Sequence, residues 1–302
     1  MSFISQIKSF KQKERSSKNK FVLAVVKAAD DEVMKSAKKA IQEEGLKMIF
    51  IDDKEQLEKI IANYQLSAED YEIIDESNDS QAAFEAVRLV REGKAGAIMK
   101  GKLSTGKLLK QVVAKETGIV KSGLLTHMAV LSIPKLDRLL GISDGGMVLQ
   151  PNKEEYKTII QHGVEVFHKL GVEKPKVALL SAAETLIPKL PSSVNFAEIA
   201  EESDNSQAII EGPLSLDISL SPTSAAEKNW SGAIKGDADL IIASDIVAGN
   251  SLSKSLLLFG DGEMAGIIMG ARVPIILTSR SASASEKYAS ILLAQLMMDK
   301  GE

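Results

Sequence analysis

The stretch FVLAVVKAADDEVMKSAKKAIQEEGLKMIFID, residues 21–52, decides the fold. Its first six residues are an apolar run with β-branched members and no polar alternation, which is how a strand buried on both faces reads. From Asp30 the pattern becomes helical and stops at Gly45, a residue suited to ending a helix. Lys47–Ile51 is then a second buried strand. Strand, helix and strand in this order form a βαβ unit, and a chain built of such units carries a largely parallel sheet. The alternation continues outward: a helical pattern over 54–65, a strand over 71–75, a helix over 80–93, a strand over 95–100 and a helix over 104–118.

Beyond this the texture changes near Pro134. Residues 124–134 and 141–152 read as strands with little helix between them, and a long helix follows over 152–171. Strands are expected over 176–184, 208–220 and 237–246, then a helix over 252–260. The chain closes with the segment 264–270, a strand over 273–277 and a helix over 285–298, apolar enough to serve as core or as an interface. The first twenty residues hold six Lys or Arg and one Glu without a continuous apolar stretch, so they read as a short amphipathic surface helix and not as a secretory signal.

With 302 residues the chain exceeds one ordinary core, so two domains or one large α/β unit are expected. A hydrophobic fraction of 44% is that of a globular protein, and no apolar run is long enough to span a membrane. The net charge of −4 argues against a nucleic-acid partner. Cysteine is absent, which excludes disulfides, thiolate metal sites and a cysteine nucleophile, and fits a cytoplasmic address. The histidines are His127, His162 and His168; the last two point to different faces of their helix, so a histidine metal site is not expected and satisfied or solvated rings are.

Four stretches carry polar equipment. KGKLSTGKL (100–108) has most of a P-loop in Gly101, Gly106 and Lys107, but Leu108 stands where the magnesium-binding hydroxyl belongs. What survives is an anion site at a helix start, with Ser104, Thr105, Lys100 and Lys102, or a plain N-cap by Ser104 or Thr105. In EGPLSLDISL (211–220), Gly212-Pro213 breaks an apolar strand and Asp217 follows, as turn or as site. In ASDIVAGNSLSKSL (243–256), Asp245 ends a strand, Gly249-Asn250 permits a tight turn with Asn250 as a helix N-cap, and Lys254 lies in the next helix. In IILTSRSASASEK (275–287), a buried strand ends at Thr278, Ser279 and Arg280. Arg offers a planar fork of donors matched to phosphate, the N-terminus of the last helix adds donors, and Glu286 in its first turns is placed for a general base; a surface arginine and a dipole-matched glutamate are the plain alternative.

Taken together, KGKLST, SDGGMVLQPN, PKVALLSAAE with IPKLPSSVNFAEI, EGPLSLD, SDIVAGNSLSKSL and AGIIMGARVPIILTSR resemble the phosphate acetyl/butyryltransferase family, from about Lys94 to the last helix. The resemblance implies two α/β domains of the isocitrate/isopropylmalate-dehydrogenase-like kind with the active site in the cleft between them: 1–135 with 265–302 as one, and 136–264 as the other. It implies transfer of a short acyl group, butyryl or branched C4–C5, between coenzyme A and inorganic phosphate. Ser279 and Arg280 then bind the reacting groups and Glu286 is the base, where the acetyl-transferring members carry Asp. The same resemblance places Lys100, Gly101, Ser104, Thr105, Asp144, Gly212, Pro213, Asp217, Asp245, Gly249, Asn250, Lys254 and Thr278 in substrate binding. Ser253 replaces a tyrosine usual in butyryl-transferring members. No metal and no permanently bound cofactor are expected; acyl-CoA and phosphate are the partners, and a homodimer or higher oligomer is implied. With no cysteine to carry an acyl group, transfer is expected to be direct, in a ternary complex. Acetyl preference, a non-catalytic CoA-binding member and a metal- and nicotinamide-dependent decarboxylating dehydrogenase on the same fold are the alternatives; the last would need an aspartate cluster that the sequence lacks.

Overall fold

The structure is a computed structural model that describes residues 2–11, 21–121, 123–279 and 281–298. In chain order the elements are α1 (Phe3–Lys11), β1 (Val22–Val26), α2 (Asp31–Glu44), β2 (Lys47–Asp52), α3 (Lys54–Ala62), β3 (Tyr71–Asp75), α4 (Asp79–Arg91), β4 (Ala97–Lys100) and α5 (Thr105–Val112). Then come β5 (Thr126–Ser132), β6 (Leu139–Ser143), α6 (Lys153–Lys169), β7 (Lys176–Leu180), α7 (Pro191–Glu202), β8 (Ile209–Leu214), α8 (Leu216–Leu220), α9 (Pro222–Glu227), β9 (Leu240–Ile242) and α10 (Ile246–Phe259). The chain ends with β10 (Glu263–Met269), β11 (Ile275–Ile276) and α11 (Ala284–Met298).

Two compact units result, Met1–Leu125 with Ala265–Glu302 and Thr126–Met264. The first boundary lies ten residues before the 135/136 division that the sequence suggested, because β5 pairs antiparallel with β6, Ala129 beside Ile142.

In the first unit the strand order is β3-β2-β1-β4-β11-β10. Its strands run parallel except for β10, which opposes β11. The apolar runs are buried as the sequence suggested: Leu23–Val26 and Ala97–Met99 are fully enclosed, with α4 packed on both strands. Local signals set the helix limits. Asp30 accepts from the Val33 amide at the start of α2, Asn78 caps α4, and Gly45 closes α2 at φ 65°. The last helix resolves to core: Tyr288, Ile291, Leu292, Leu293 and Leu296 are fully enclosed, and the helix packs on α2. α1 is docked against α11, with Phe3 and Ile7 buried and the Lys8 ammonium between Glu43 and Glu44.

In the second unit the order is β5-β6-β9-β7-β8, parallel from β6 onward. A core of Ala129, Leu131, Leu140, Ile142, Ile218 and Ile241 fills one side, with Trp230 packed against it. Three expectations need correcting here. The strand expected over 141–152 ends at Ser143 and gives way to a loop. The strand expected to run to 220 ends at Leu214, and Leu216–Leu220 is a short helix. The helix expected from 252 starts at Ile246, with Asp245 as its N-cap. Gly249 and Asn250 therefore lie inside that helix and make neither the turn nor the cap the sequence suggested.

Candidate functional site

Ligands of open parallel sheets bind beyond the carboxyl ends of strands. Within each unit, the residues singled out by sequence gather at that edge.

In the first unit, β11 runs beside β4 with Ile276 opposite Met99, so the chain leaves both strands side by side. Lys100–Gly101 continue one and Thr278–Ser279 the other. Lys100 is buried and its ammonium donates to the carbonyls of Gly101 and Leu103, both at 3.2 Å, which folds the loop around it. Gly101 has no room for a side chain: a Cβ there would lie 2.1 Å from the Lys27 carbonyl oxygen. Its amide donates to Val26 and that of Lys102 to Lys27, each at 2.8 Å, so the loop is laced to the end of β1. Ser104 occupies the N-cap position of α5 without a side-chain capping bond, and Thr105 is the first helical residue. Both hydroxyls remain available to a ligand, as the anion-site reading requires.

Thr278 is buried and its hydroxyl has no hydrogen-bond partner among the described residues. An enclosed hydroxyl without a partner costs stability, so one left at a strand end is a candidate ligand contact. Ser279 is exposed, its hydroxyl 3.1 Å from that of Ser281. Arg280, central to the sequence reading, lies outside the described residues. Glu286 sits half-buried in the first turn of α11, and its amide donates to the Ser283 hydroxyl at 3.2 Å. The N-terminus of α11 is less open to an anion than expected: the Ala284 amide donates to the Glu32 carboxylate at 2.7 Å.

In the second unit the edge is organised by Asp144. Its carboxylate is buried, with Oδ2 accepting from the His127 amide at 2.6 Å and Oδ1 from Gly146 and Met147 at 2.6 and 2.7 Å. Both oxygens are committed to backbone, so Asp144 shapes the Gly145-Gly146 loop. The start of α10 lies directly on this loop. A Cβ on Gly249 would sit 2.4 Å from the Asp144 carbonyl oxygen, and one on Gly145 would sit 2.8 Å from the Gly249 carbonyl carbon. Here glycine is required by backbone-to-backbone packing. The Asn250 amide group donates to the Gly145 carbonyl at 2.9 Å and ties the two together. Asp245 accepts from the amides of Val247 and Ala248, and the Tyr156 hydroxyl donates to the neighbouring Ser244 carbonyl at 2.5 Å. Ser253 turns its hydroxyl to the Gly249 carbonyl on the buried side of α10, while Lys254 is exposed and forms no ion pair with a described residue.

The remaining residues named from the sequence lie in β8 and in α8 just beyond it. Gly212 and Pro213 are joined by a cis peptide inside β8, and a Cβ on Gly212 would meet Leu179 at 2.5 Å. Asp217 shares the Lys228 ammonium with Glu184, at 3.0 and 3.1 Å, and both carboxylates accept from the Ser215 hydroxyl. The Ser215 hydrogen bond first, and then Lys228, hold the Asp217 carboxyl down at about 2.

One residue at these edges escaped the sequence, and the expectation that the His127 ring is satisfied or solvated needs correcting at Nδ1. Ser181, just past β7, has a buried hydroxyl with no partner. His127 faces Asp144, and its Nδ1 is likewise enclosed and unpartnered. Neither carries a sequence signal beyond its place at a strand end. Among the described residues no group of His, Asp or Glu is arranged to hold a metal ion, and no helix is long and apolar enough to cross a membrane.

An α/β sheet edge furnished with hydroxyls and glycine-tight loops is the setting in which this class of fold takes its ligands. Comparison with known proteins narrows the class. Residues 77–295 match the family described as phosphate acetyl/butaryl transferase, and the chain belongs to that family. It is 38% identical over 280 residues to the probable phosphate butyryltransferase of Bacillus subtilis (strain 168), covering 92% of this chain and 93% of the relative. Among solved structures, the branched-chain phosphotransacylase of Enterococcus faecalis V583 superposes with a TM-score of 0.82 at 35% identity, over 92% of this chain and 99% of the other. The 4-hydroxythreonine-4-phosphate dehydrogenase of Klebsiella pneumoniae shares the fold alone, with a TM-score of 0.57 at 14% identity over 93% of this chain and 100% of the other. The fold is thus the dehydrogenase-like α/β fold that the resemblance implied.

Proposed function

We propose that this chain transfers a short acyl group, butyryl or branched C4–C5, between coenzyme A and inorganic phosphate, by direct transfer in a ternary complex of both substrates. The observation that carries the reading is the pairing of β4 with β11, which brings the Lys100–Thr105 loop and the Thr278–Ser279 segment to one sheet edge. In the direction of acyl phosphate formation, a phosphate oxygen attacks the thioester carbonyl. The new C–O bond forms, the C–S bond breaks, and the coenzyme leaves as thiolate. In reverse, Glu286 takes the proton of the thiol, whose ordinary pKa of about 8.5 keeps it mostly protonated at neutral pH. The thiolate then attacks the acyl phosphate. Ser279 donates to the carbonyl oxygen as it gains charge, and Arg280 holds the departing phosphate.

The four- to five-carbon acyl group is the reading favoured by the butyryl-transferring and branched-chain relatives, which stand beside acetyl-transferring ones in the same family. A homodimer or higher assembly is supported by the exposed Val247, Leu258 and Phe259 on α10. The test is release of coenzyme A from acetyl-, butyryl- and isobutyryl-CoA, with and without phosphate, by wild type and Arg280→Ala. Phosphate-dependent release, largest for a C4 chain and reduced about 10²–10³-fold in the variant, is expected. Release that ignores phosphate, or a variant as active as wild type, overturns the reading.

A further inference from the structure

Of the three histidines, two are accounted for. His162 is buried in α6 with Nδ1 2.8 Å from the Thr126 hydroxyl, and His168 places Nε2 3.0 Å from the Gln207 carbonyl. His127 is different. Its backbone is clamped on both sides, the amide donating to Asp144 at 2.6 Å and the carbonyl accepting from the Ser143 hydroxyl at 2.8 Å. Its ring is wedged against Gly146, where a Cβ would come within 3.0 Å of the imidazole Cγ. Yet Nδ1 is enclosed without a partner, and the ring makes no hydrogen bond to a described residue.

Nδ1 is sealed inside, but His127 keeps part of its surface exposed, so it is the unspent Nε2 that stays open to something that arrives. Enclosure pushes its pKa below the ordinary imidazole value, against the opposing pull of the Asp144 carboxylate. The shift favours the neutral imidazole, which offers one donor and one acceptor. The Asp144 anion lies immediately beside it. A phosphate at this position would meet that negative charge, whereas an amide or thioester would not.

We propose that His127 is a substrate-binding residue that hydrogen-bonds the uncharged acyl-pantetheine arm of acyl-CoA. The proposal rests on the transacylase reading above and deepens it by giving the second unit's sheet edge a share of the coenzyme. Acceptor phosphate is not its ligand.

The test follows the His127 imidazole resonances in full-length, 15N-histidine-labelled protein during titration with coenzyme A, pantetheine and inorganic phosphate in separate arms. Saturable shifts with coenzyme A and with pantetheine, and none with phosphate, are expected. In turnover, His127→Phe is expected to raise KM for butyryl-CoA about five- to tenfold, the worth of one hydrogen bond, with KM for phosphate unchanged. His127→Gln, which keeps an amide near the Nε2 position, is expected to recover part of the loss. Shifts with phosphate alone, a silent His127 at saturating coenzyme A, or His127→Phe losses shared equally by both substrates and not eased by His127→Gln would overturn the proposal. Wild-type turnover with a silent His127 defeats this inference alone. Coenzyme-dependent shifts without phosphate-dependent turnover defeat the transacylase reading and leave the contact standing.

Discussion

Replacing Asp144 tests whether the loop at the end of β6 is held by a single carboxylate. Three backbone amides converge on it, from His127, Gly146 and Met147, at 2.6–2.7 Å. In Asp144→Ala all three lose their acceptor. A buried donor left unsatisfied costs about 1–3 kcal/mol, so three cost about 3–9 kcal/mol, and relaxation of the loop toward water brings this to about 3–5 kcal/mol. Asp144→Asn separates charge from shape. Its oxygen can still serve Gly146 and Met147, but its NH2 group then faces the His127 amide, donor against donor. That removes one charge-assisted bond, for an expected loss of about 1.5–3 kcal/mol. The chain has one tryptophan, Trp230, and it lies in the second unit against that unit's core. Urea unfolding followed by its fluorescence therefore reports on the unit that Asp144 supports. With a slope of about 1–3 kcal/mol per molar urea, the alanine variant should unfold at least about 1 M earlier and the asparagine variant between it and wild type. An alanine variant within about 1 kcal/mol of wild type, or the two variants alike, would refute the argument that these bonds hold the loop.

Two further outcomes follow from the edges of the sheets. Gly101→Ala places a methyl 2.1 Å from the Lys27 carbonyl oxygen, so the loop must move off β1; overpacking of this kind costs about 1–3 kcal/mol, read as a lower thermal midpoint. The Asp217 carboxyl should titrate by NMR at about 2 in the folded protein, and Ser215→Ala should raise that midpoint toward the unfolded value of about 3.9. Because the folded pKa is the lower one, this carboxylate's contribution to stability is present above about pH 4 and is lost as pH falls toward 2.

Much of the architecture was legible because its causes are local. The runs at Phe21–Val26 and Ala95–Lys100 are apolar since both faces of a parallel strand are covered, and Asp30, Asn78 and Gly45 mark helix limits with their own side chain or φ. The misreadings share a different cause. Leu216–Leu220 alternates apolar and polar residues like a strand, yet the chain turns at Ser215 and Ile218 packs into the core from a helix. Gly249-Asn250 looked like a turn because glycine is usually selected for its own φ. Here it is selected for the approach of Asp144 across more than a hundred residues, which no local pattern encodes. At the site, Lys100, Thr278 and Asp144 could be named from motif and resemblance. Whether a side chain is spent on its own loop, as Lys100 and Asp144 are, or left unpaired, as Thr278 and His127 are, depends on tertiary neighbours.

The division of the first unit between the two ends of the chain sets an order for its assembly during synthesis. α2 leaves the ribosome early, with Met34, Ala37 and Ile41 on its inner side, but α11, which packs on it, is translated more than two hundred residues later. Until then β4 has no β11 beside it, and the Ala284 amide and Tyr288 hydroxyl that meet Glu32, Glu43 and Glu44 do not yet exist. The second unit is continuous from Thr126 to Met264 and is complete first. A nascent chain of this protein therefore completes the unit Thr126–Met264 before the unit that precedes it in sequence, the reverse of the usual order in which domains fold as they emerge, and β4 stays an open sheet edge until β11 is made.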